Sequence, residues 1–205
     1  MKKFTKVLAV LLAVAVFATA FAACSKNGGT SSKVKVIDIA LSDEEYAFGV
    51  DKNQPELKQQ VNDFVAEIKS NGKLDEICNK YFADGTPEGI TSATQDPSKD
   101  QLVVATNAEF APFEYKQGDQ FFGIDMEIAN LLAQKLNKEL VIVDMAFDAV
   151  LLSVQQGKAD IGMAGLTVTE ERAQQVDFSD SYYSASQKLI VKELSLIHIS
   201  EPTRH

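Results

Sequence analysis

FDAVLLSVQQGKADIGMAGLTVTEERAQQ, Phe147 to Gln175, decides the fold. Asp148 reads as the N-cap of a helix over AVLLSVQQ, and Gly157 as its stop. DIGMA then reads as a short strand. TEERAQQ is a second, short helix with Thr169 as its N-cap, because a threonine hydroxyl can accept from the free backbone N–H groups of the first turn. Helix, strand and helix in 29 residues is the unit of an α/β protein.

The same alternation extends outward. Upstream, LVVAT is a strand and FEYKQGDQFFG a turn-bearing loop. Asp125 is placed as the cap of a helix carrying Ile128, Leu131, Leu132 and Leu136, and LVIVD is the next strand. Downstream, QKLIVK closes the block. Such an order predicts an α/β fold with right-handed crossovers, a mostly parallel sheet and helices on both faces. Ligands of such sheets bind beyond the carboxyl ends of the strands. Those ends are Thr106–Asn107, Asp144 to Phe147, and Ala164–Gly165.

Arg172 follows the third end directly and falls in the first turn of its helix. The N-terminal turn carries a partial positive charge, so a cation there costs roughly 0.3–1 kcal/mol. Two readings account for it. Arg172 pairs with Glu171, Asp177 or Asp180, or sits further into a helix begun by a Thr167–Glu170 capping box. Alternatively it holds a carboxylate, for which guanidinium offers a fixed two-pronged donor set.

A first block, residues 34–85, precedes this one and reads strand, helix, helix. EEYAFGV is the strand. Pro55 opens a helix with Leu57, Val61, Phe64, Val65 and Ile68 at helical spacing, which stops at Gly72. Leu74, Ile77, Cys78, Tyr81 and Phe82 mark the second helix, with Cys78 as a core residue. Residues 86–100, TPEGITSATQDPSKD, form a polar linker to the second block at 101–193.

The ends are of another kind. MKKFTK followed by the apolar run Val7 to Ala23 reads as a signal peptide over residues 1–23, with FAAC placing lipidation at Cys24 and a flexible linker at 24–33. Phe21 stands where the usual motif has leucine, and a retained membrane anchor is the other reading. Lipidation of Cys24 leaves Cys78 without a disulfide partner. The formal charge is −9, and loss of Lys2, Lys3 and Lys6 takes it to −12, which argues against nucleic acid as a partner. LSLIHISEPTRH, residues 194–205, holds both histidines and resembles an in-frame translation of a sequencing adapter, so it is treated as an artefactual tail.

Catalytic chemistry finds little purchase. HExxH, GxSxG, the Walker loop and GxGxxG are absent, no metal-ligand cluster appears, and no cofactor is implied. The adjacent acids Glu170–Glu171 and Asp43–Glu44–Glu45 read as solvated surface.

Three stretches carry a resemblance: FAPFEYKQGDQFFGIDMEIANLLAQKL, FDAVLLSVQQGKADIGMAGLTVTEER and VDFSDSYY. They resemble the first lobe of bacterial solute-binding proteins for polar amino acids, the extracytoplasmic receptors of ABC importers, which have the type 2 periplasmic-binding-protein fold. The resemblance runs from Leu102 to about Lys192, with Ser181 standing where that family often has proline. It implies that an aromatic at Phe110 stacks on the ligand. It also implies that the Ala164 and Gly165 backbone with the Thr167 hydroxyl holds the ammonium and carboxylate of an amino acid, and that Arg172 clamps the carboxylate. Phe147 would line the side-chain pocket and Asn107 its edge; without the resemblance both phenylalanines read as ordinary core.

Residues 34–85 resemble the C-terminal return of the same family into its first lobe. The expected architecture is therefore a single, circularly permuted lobe, with the second lobe missing and ligand binding weak. The resemblance implies a monomeric, lipid-anchored, extracytoplasmic protein whose partners are an amino acid and an ABC permease. Two other classes stay open: a dehydratase of small carboxylic acids, with Glu114 as its acid/base residue, and the sensor module of a receptor.

Overall fold

The computed structural model describes residues 34–83 and 85–192. The expected signal peptide, Cys24, the linker at 24–33 and the tail at 194–205 lie outside the described residues. Two compact units appear: one holds residues 34–39 and 188–192, the other Ala40–Gln187.

In chain order the strands are β1 (Val34–Tyr46), β2 (Gly49–Val50), β3 (Gln101–Thr106), β4 (Glu109–Phe110), β5 (Glu114–Gln117), β6 (Gln120–Phe122), β7 (Glu139–Asp144), β8 (Ile161–Gly162), β9 (Asp177–Phe178) and β10 (Tyr183–Lys192). The helices are α1 (Pro55–Ser70), α2 (Lys73–Phe82), α3 (Ile124–Lys135), α4 (Phe147–Gln155) and α5 (Glu170–Gln175). The central sheet of the larger unit has the order β7-β3-β8-β2-β9. β3 pairs in parallel with β7 and β8, whereas β2 is antiparallel to both β8 and β9. One strand thus runs against the rest, and the sheet is mostly parallel in an α/β fold.

LVVAT is apolar at successive positions, and that explains the layering. Leu102 and Val104 face a core shared with α1, α2 and α3, built on Val61, Phe64, Ile77, Ile128 and Leu132. Val103 and Ala105 face the other side, where Val150, Leu151 and Val154 of α4 pack. The period of two sends successive side chains of one strand to opposite faces, so helices cover both. Gly49 and Gly162 are register partners on the α4 side, and a Cβ on Gly49 would stand 2.9 Å from Leu151 Cδ2. Two glycines side by side let α4 lie close to the sheet.

β2 belongs to the first block and is inserted between β8 and β9 of the second, so the two blocks share one sheet and one core. Polar contacts add to it. Lys80 pairs with Glu127 at 2.7 Å, the Tyr81 hydroxyl accepts from the Gly123 N–H at 3.0 Å, and the Phe48 N–H donates to Ser179 Oγ at 3.0 Å.

Several local expectations are corrected. Asp125 caps nothing: α3 starts after Gly123, at φ +126°, and Asp125 turns inward from the first turn. Asp148 is likewise inside α4, which begins at Phe147 after Ala146. FEYKQGDQFFG is no loop, because β4, β5 and β6 form an antiparallel sheet around Gly118 at φ +60°. EEYAFGV is interrupted at Ala47–Phe48, and its first half belongs to the much longer β1. QKLIVK pairs with that strand in a two-stranded sheet rather than joining the central one. The polar linker is ordered against the body: Ile90 is buried and exchanges backbone hydrogen bonds with Phe121, and Ala93 N–H donates to Leu140 at 2.9 Å. The edge strand β7 offers free backbone acceptors, and the linker takes them.

Candidate functional site

The carboxyl ends of β3, β7 and β8 open on one cleft of about 410 Å³. Asn107, Phe110, Phe147, Ala164, Gly165, Thr167 and Arg172 all line it, and so do Glu44, Tyr46, Glu109, Glu114 and Gln187. The structure therefore brings together every residue that the sequence reading gave to an amino-acid ligand.

Thr169 accepts from the Arg172 N–H at 3.2 Å, so the helix starts where its cap residue places it. The Arg172 guanidinium donates to the Thr167 carbonyl at 3.0 Å and lies 5.1 Å from the centre of the Phe147 ring. No carboxylate among the described residues lies within ion-pair distance of Arg172, so Glu171, Asp177 and Asp180 do not neutralise it. Instead Asp177 holds Lys58. A guanidinium fixed by one carbonyl and one ring keeps its remaining N–H donors for an anion.

Phe110 is 44% exposed and Phe147 is 38% exposed, so neither is ordinary core. Phe110 stacks on Phe113 at 5.6 Å with an interplanar angle of 13°. Its ring presses on Gly165, where a Cβ would come within 2.9 Å of Phe110 Cε1. Gly165 also sits at φ +52°, a conformation that suits glycine. Its N–H is turned away from the cleft, onto Asp125 Oδ2 at 2.9 Å. Asn107 donates to the Met145 carbonyl at 2.9 Å, which ties the end of β3 to the turn before α4.

The first block builds one wall. Tyr46 bridges Thr167, Ala47 N–H donates to the Leu166 carbonyl at 3.1 Å, and Val168 N–H donates to that of Glu45 at 3.0 Å. Glu44 is half-buried and accepts from the Thr167 hydroxyl at 3.3 Å and from Gln187. Reading Asp43–Glu44–Glu45 as solvated surface missed this. The signal was strand alternation, which puts Ser42, Glu44 and Tyr46 on one face. Burial, reinforced by the Glu44 charge, pushes the Tyr46 hydroxyl up to about 12.

Beneath the cleft lie two carboxyl groups with no exposure, Glu114 and Asp125. Asp125 accepts from Gly165 N–H and from the Tyr182 hydroxyl. Among the described residues no group donates a hydrogen bond to either Glu114 oxygen. Burial, and then the neighbouring Asp125 charge, hold Glu114 well above the usual carboxylate range. Cys78 is half-buried and packs on the core, where burial raises its thiol to about 11, a value that suits an inert side chain. No group of three or more His, Cys, Asp or Glu gathers for a metal among the described residues.

The chain matches the bacterial extracellular solute-binding proteins, family 3, over residues 4–84 and 102–197. The two matched segments flank the polar linker, and the second runs four residues into the segment read as foreign. The arginine-binding extracellular protein ArtP of Bacillus subtilis is 37% identical over 105 residues, 51% of this chain and 41% of its own length. A probable histidine-binding protein of Neisseria gonorrhoeae is 37% identical over 43% of this chain and 33% of its own. Among solved structures, the amino acid ABC transporter substrate-binding protein AbpA of Streptococcus pneumoniae, bound to L-arginine, is 48% identical. That likeness covers 42% of this chain and 38% of AbpA, with a TM-score of 0.40. The chain spans about two fifths or less of the length of these relatives. It belongs to the bacterial extracellular solute-binding proteins of family 3.

Proposed function

We propose that the cleft takes the backbone end of a free amino acid, as the receptor lobe of an ABC importer. The observation that carries this reading is the Arg172 guanidinium, without an ion-pair partner among the described residues, facing a cleft also lined by the exposed Phe110 ring. Arg172 clamps the α-carboxylate, and Thr167 with the Ala164 backbone and the Gly165 carbonyl, the Gly165 N–H being taken by Asp125, completes the polar contacts. Phe110 stacks on the ligand, while Phe147 and Asn107 border its side chain. The names of the relatives point to arginine and histidine, and the acids Glu44 and Glu109 at the cleft suit a basic side chain.

The same reading gives the chain a lipid anchor at Cys24, an extracytoplasmic place beside a membrane permease, and no chemistry of its own. A cleft open on one side buries little of a small ligand, so its affinity is weak compared with an enclosed site. The test is an amide chemical-shift titration of the chain with each common amino acid at millimolar concentration. Shifts at Phe110, Gly165, Thr167 and Arg172 are expected, strongest with basic amino acids, and are lost in Arg172→Ala. No response to any amino acid, or an unchanged response in the variant, overturns the reading. A calorimetric Kd in the micromolar range would refute the one-sided cleft.

Glu114 favours a second reading, a dehydratase, because a buried carboxyl held neutral can give up a proton. Turnover of a small carboxylic acid, lost in Glu114→Gln, is the result that would favour it.

A further inference from the structure

Glu114 is an anomaly at the place where the proposed ligand rests. It lines the cleft, its side chain has no exposure, and among the described residues no group donates a hydrogen bond to its two oxygens. Leaving a buried carboxyl without a donor is costly, and more so when it is ionised. No cation relieves it: among the described residues neither Glu114 nor Asp125 is in an ion pair. The titratable groups that face the two carboxyls are Tyr46 from β1, Cys78 from α2 and Tyr182 ahead of β10. All of them are neutral or negative when they titrate. On the cleft itself, Glu44 and Glu109 add negative charge, while Arg172 donates to Thr167.

The two carboxyls meet at the Gly165 peptide, whose N–H donates to Asp125 at 2.9 Å and where a Cβ would stand 3.7 Å from Glu114 Oε1, and in a dry site such neighbours cannot both ionise. The donors decide which one does. Asp125 receives Gly165 N–H on one oxygen and Tyr182 O–H on the other, which stabilises its charge. Glu114 receives no donor among the described residues, so the proton goes there, and its O–H is given to Asp125. The hydrogen bond to Asp125 is also what fixes the Gly165 peptide, whose φ of +52° and contact with the Phe110 ring shape the cleft floor.

We infer that Glu114 is a positioning residue: as a neutral acid beneath the floor it leaves Asp125 singly charged and free to hold the Gly165 peptide. A second negative charge on Glu114 would repel Asp125 and loosen that peptide together with the ring above it. The role in ligand binding rests on the amino-acid reading of the cleft, but the protonation state and its effect on Gly165 do not.

The test therefore needs no ligand. In the free chain with ¹³C-labelled carboxyl groups, Glu114 is expected to report a protonated acid at neutral pH and to titrate only in the alkaline range. Burial raises the Asp125 carboxyl to about 6, so the Gly165 amide resonance is expected to move once with Asp125 and again with the alkaline step of Glu114, and Glu114→Gln is expected to lose only the second. A packing role alone would give no alkaline step at Gly165. Titration of Glu114 near the ordinary glutamate value of about 4.3 overturns the inference. So does a Gly165 pH profile that is the same in Glu114→Gln. If that variant does not fold, the labelled wild-type chain alone decides the matter. Failure here leaves the amino-acid titrations untouched, and failure of those titrations leaves this pair intact.

Discussion

Phe48→Ala tests whether residues 34–85 and 101–192 fold as one body. Phe48 is 1% exposed and stacks on Tyr182, at 4.4 Å between ring centres and 12° between planes. Its N–H donates to Ser179 Oγ at 3.0 Å, and its carbonyl accepts from Ser179 N–H at 2.9 Å. The ring comes from the first block and its partners from the second. Truncating a buried phenylalanine costs about 3–5 kcal/mol, of which the stacked pair supplies about 0.5–1.5 kcal/mol. At roughly 2–4 °C per kcal/mol for a domain of this size, the melting temperature should fall by about 6–20 °C. The chain has no tryptophan, so urea unfolding is best followed by far-UV circular dichroism and tyrosine fluorescence. Leu152→Ala, at a 45% exposed position of α4, is the control and should cost about 0.5 kcal/mol or less. A Phe48→Ala loss under about 1 kcal/mol would mean that the first block does not share the core of the second, and the fold argument would fall.

Three further predictions concern the cleft. Arg172→Lys should weaken amino-acid binding about tenfold or more, equal to about 1.4 kcal/mol, because an ammonium cannot present a fork of donors. Its stability should stay within about 0.5 kcal/mol of wild type, as read by the urea midpoint. Gly165→Ala should cost about 1–2 kcal/mol for a side chain at φ +52°. The same variant should move the Phe110 ring, seen as loss of the amino-acid chemical-shift response with the chain still folded. For Glu114 the folded value lies above the unfolded one, so the folded chain binds the extra proton. Its contribution to stability is complete below the unfolded carboxyl range near about 4.3 and is lost as pH rises toward the folded value, at about 1.4 kcal/mol per unit. The loss continues across neutral pH, where an ordinary carboxylate contributes no slope. Glu114→Gln should remove this slope; equal pH dependence of the urea midpoints in variant and wild type would contradict it.

Much of this was legible because short-range physics carries it. LVVAT and LVIVD are near-continuous apolar runs, as strands covered on both faces are, and the structure puts Leu102 with Leu140 and Val104 with Ile142 in register on one face. The Thr169 cap and the position of Arg172 followed from the chemistry of a helix start. What could not be read depends on partners remote in sequence. Asp125 looks like a cap until Gly165 and Tyr182, 40 and 57 residues away, arrive to take its oxygens. Glu44 looks solvated until Thr167, 123 residues on, meets it. The hairpin in FEYKQGDQFFG was within reach, since Gly118 and Asp119 are turn residues between two strands.

The first block also explains why Arg172 can face the cleft at all. β9 follows α5 directly, and β2 is its neighbour in the sheet. β2 holds β9 through Gly49 opposite Phe178 and Val50 opposite Asp177, while Lys58 of α1 pairs with Asp177 at 3.3 Å. Leu166, at the start of the cleft wall, accepts from Ala47 N–H, so the segment entering α5 is held by the same short piece of the first block. The helix that carries Arg172 is six residues long and has no buried residue of its own. Its orientation must therefore come from the segments on either side, and both are fixed by residues 45–50. A cleft formed by the second block alone would leave its cation on a helix anchored at neither end.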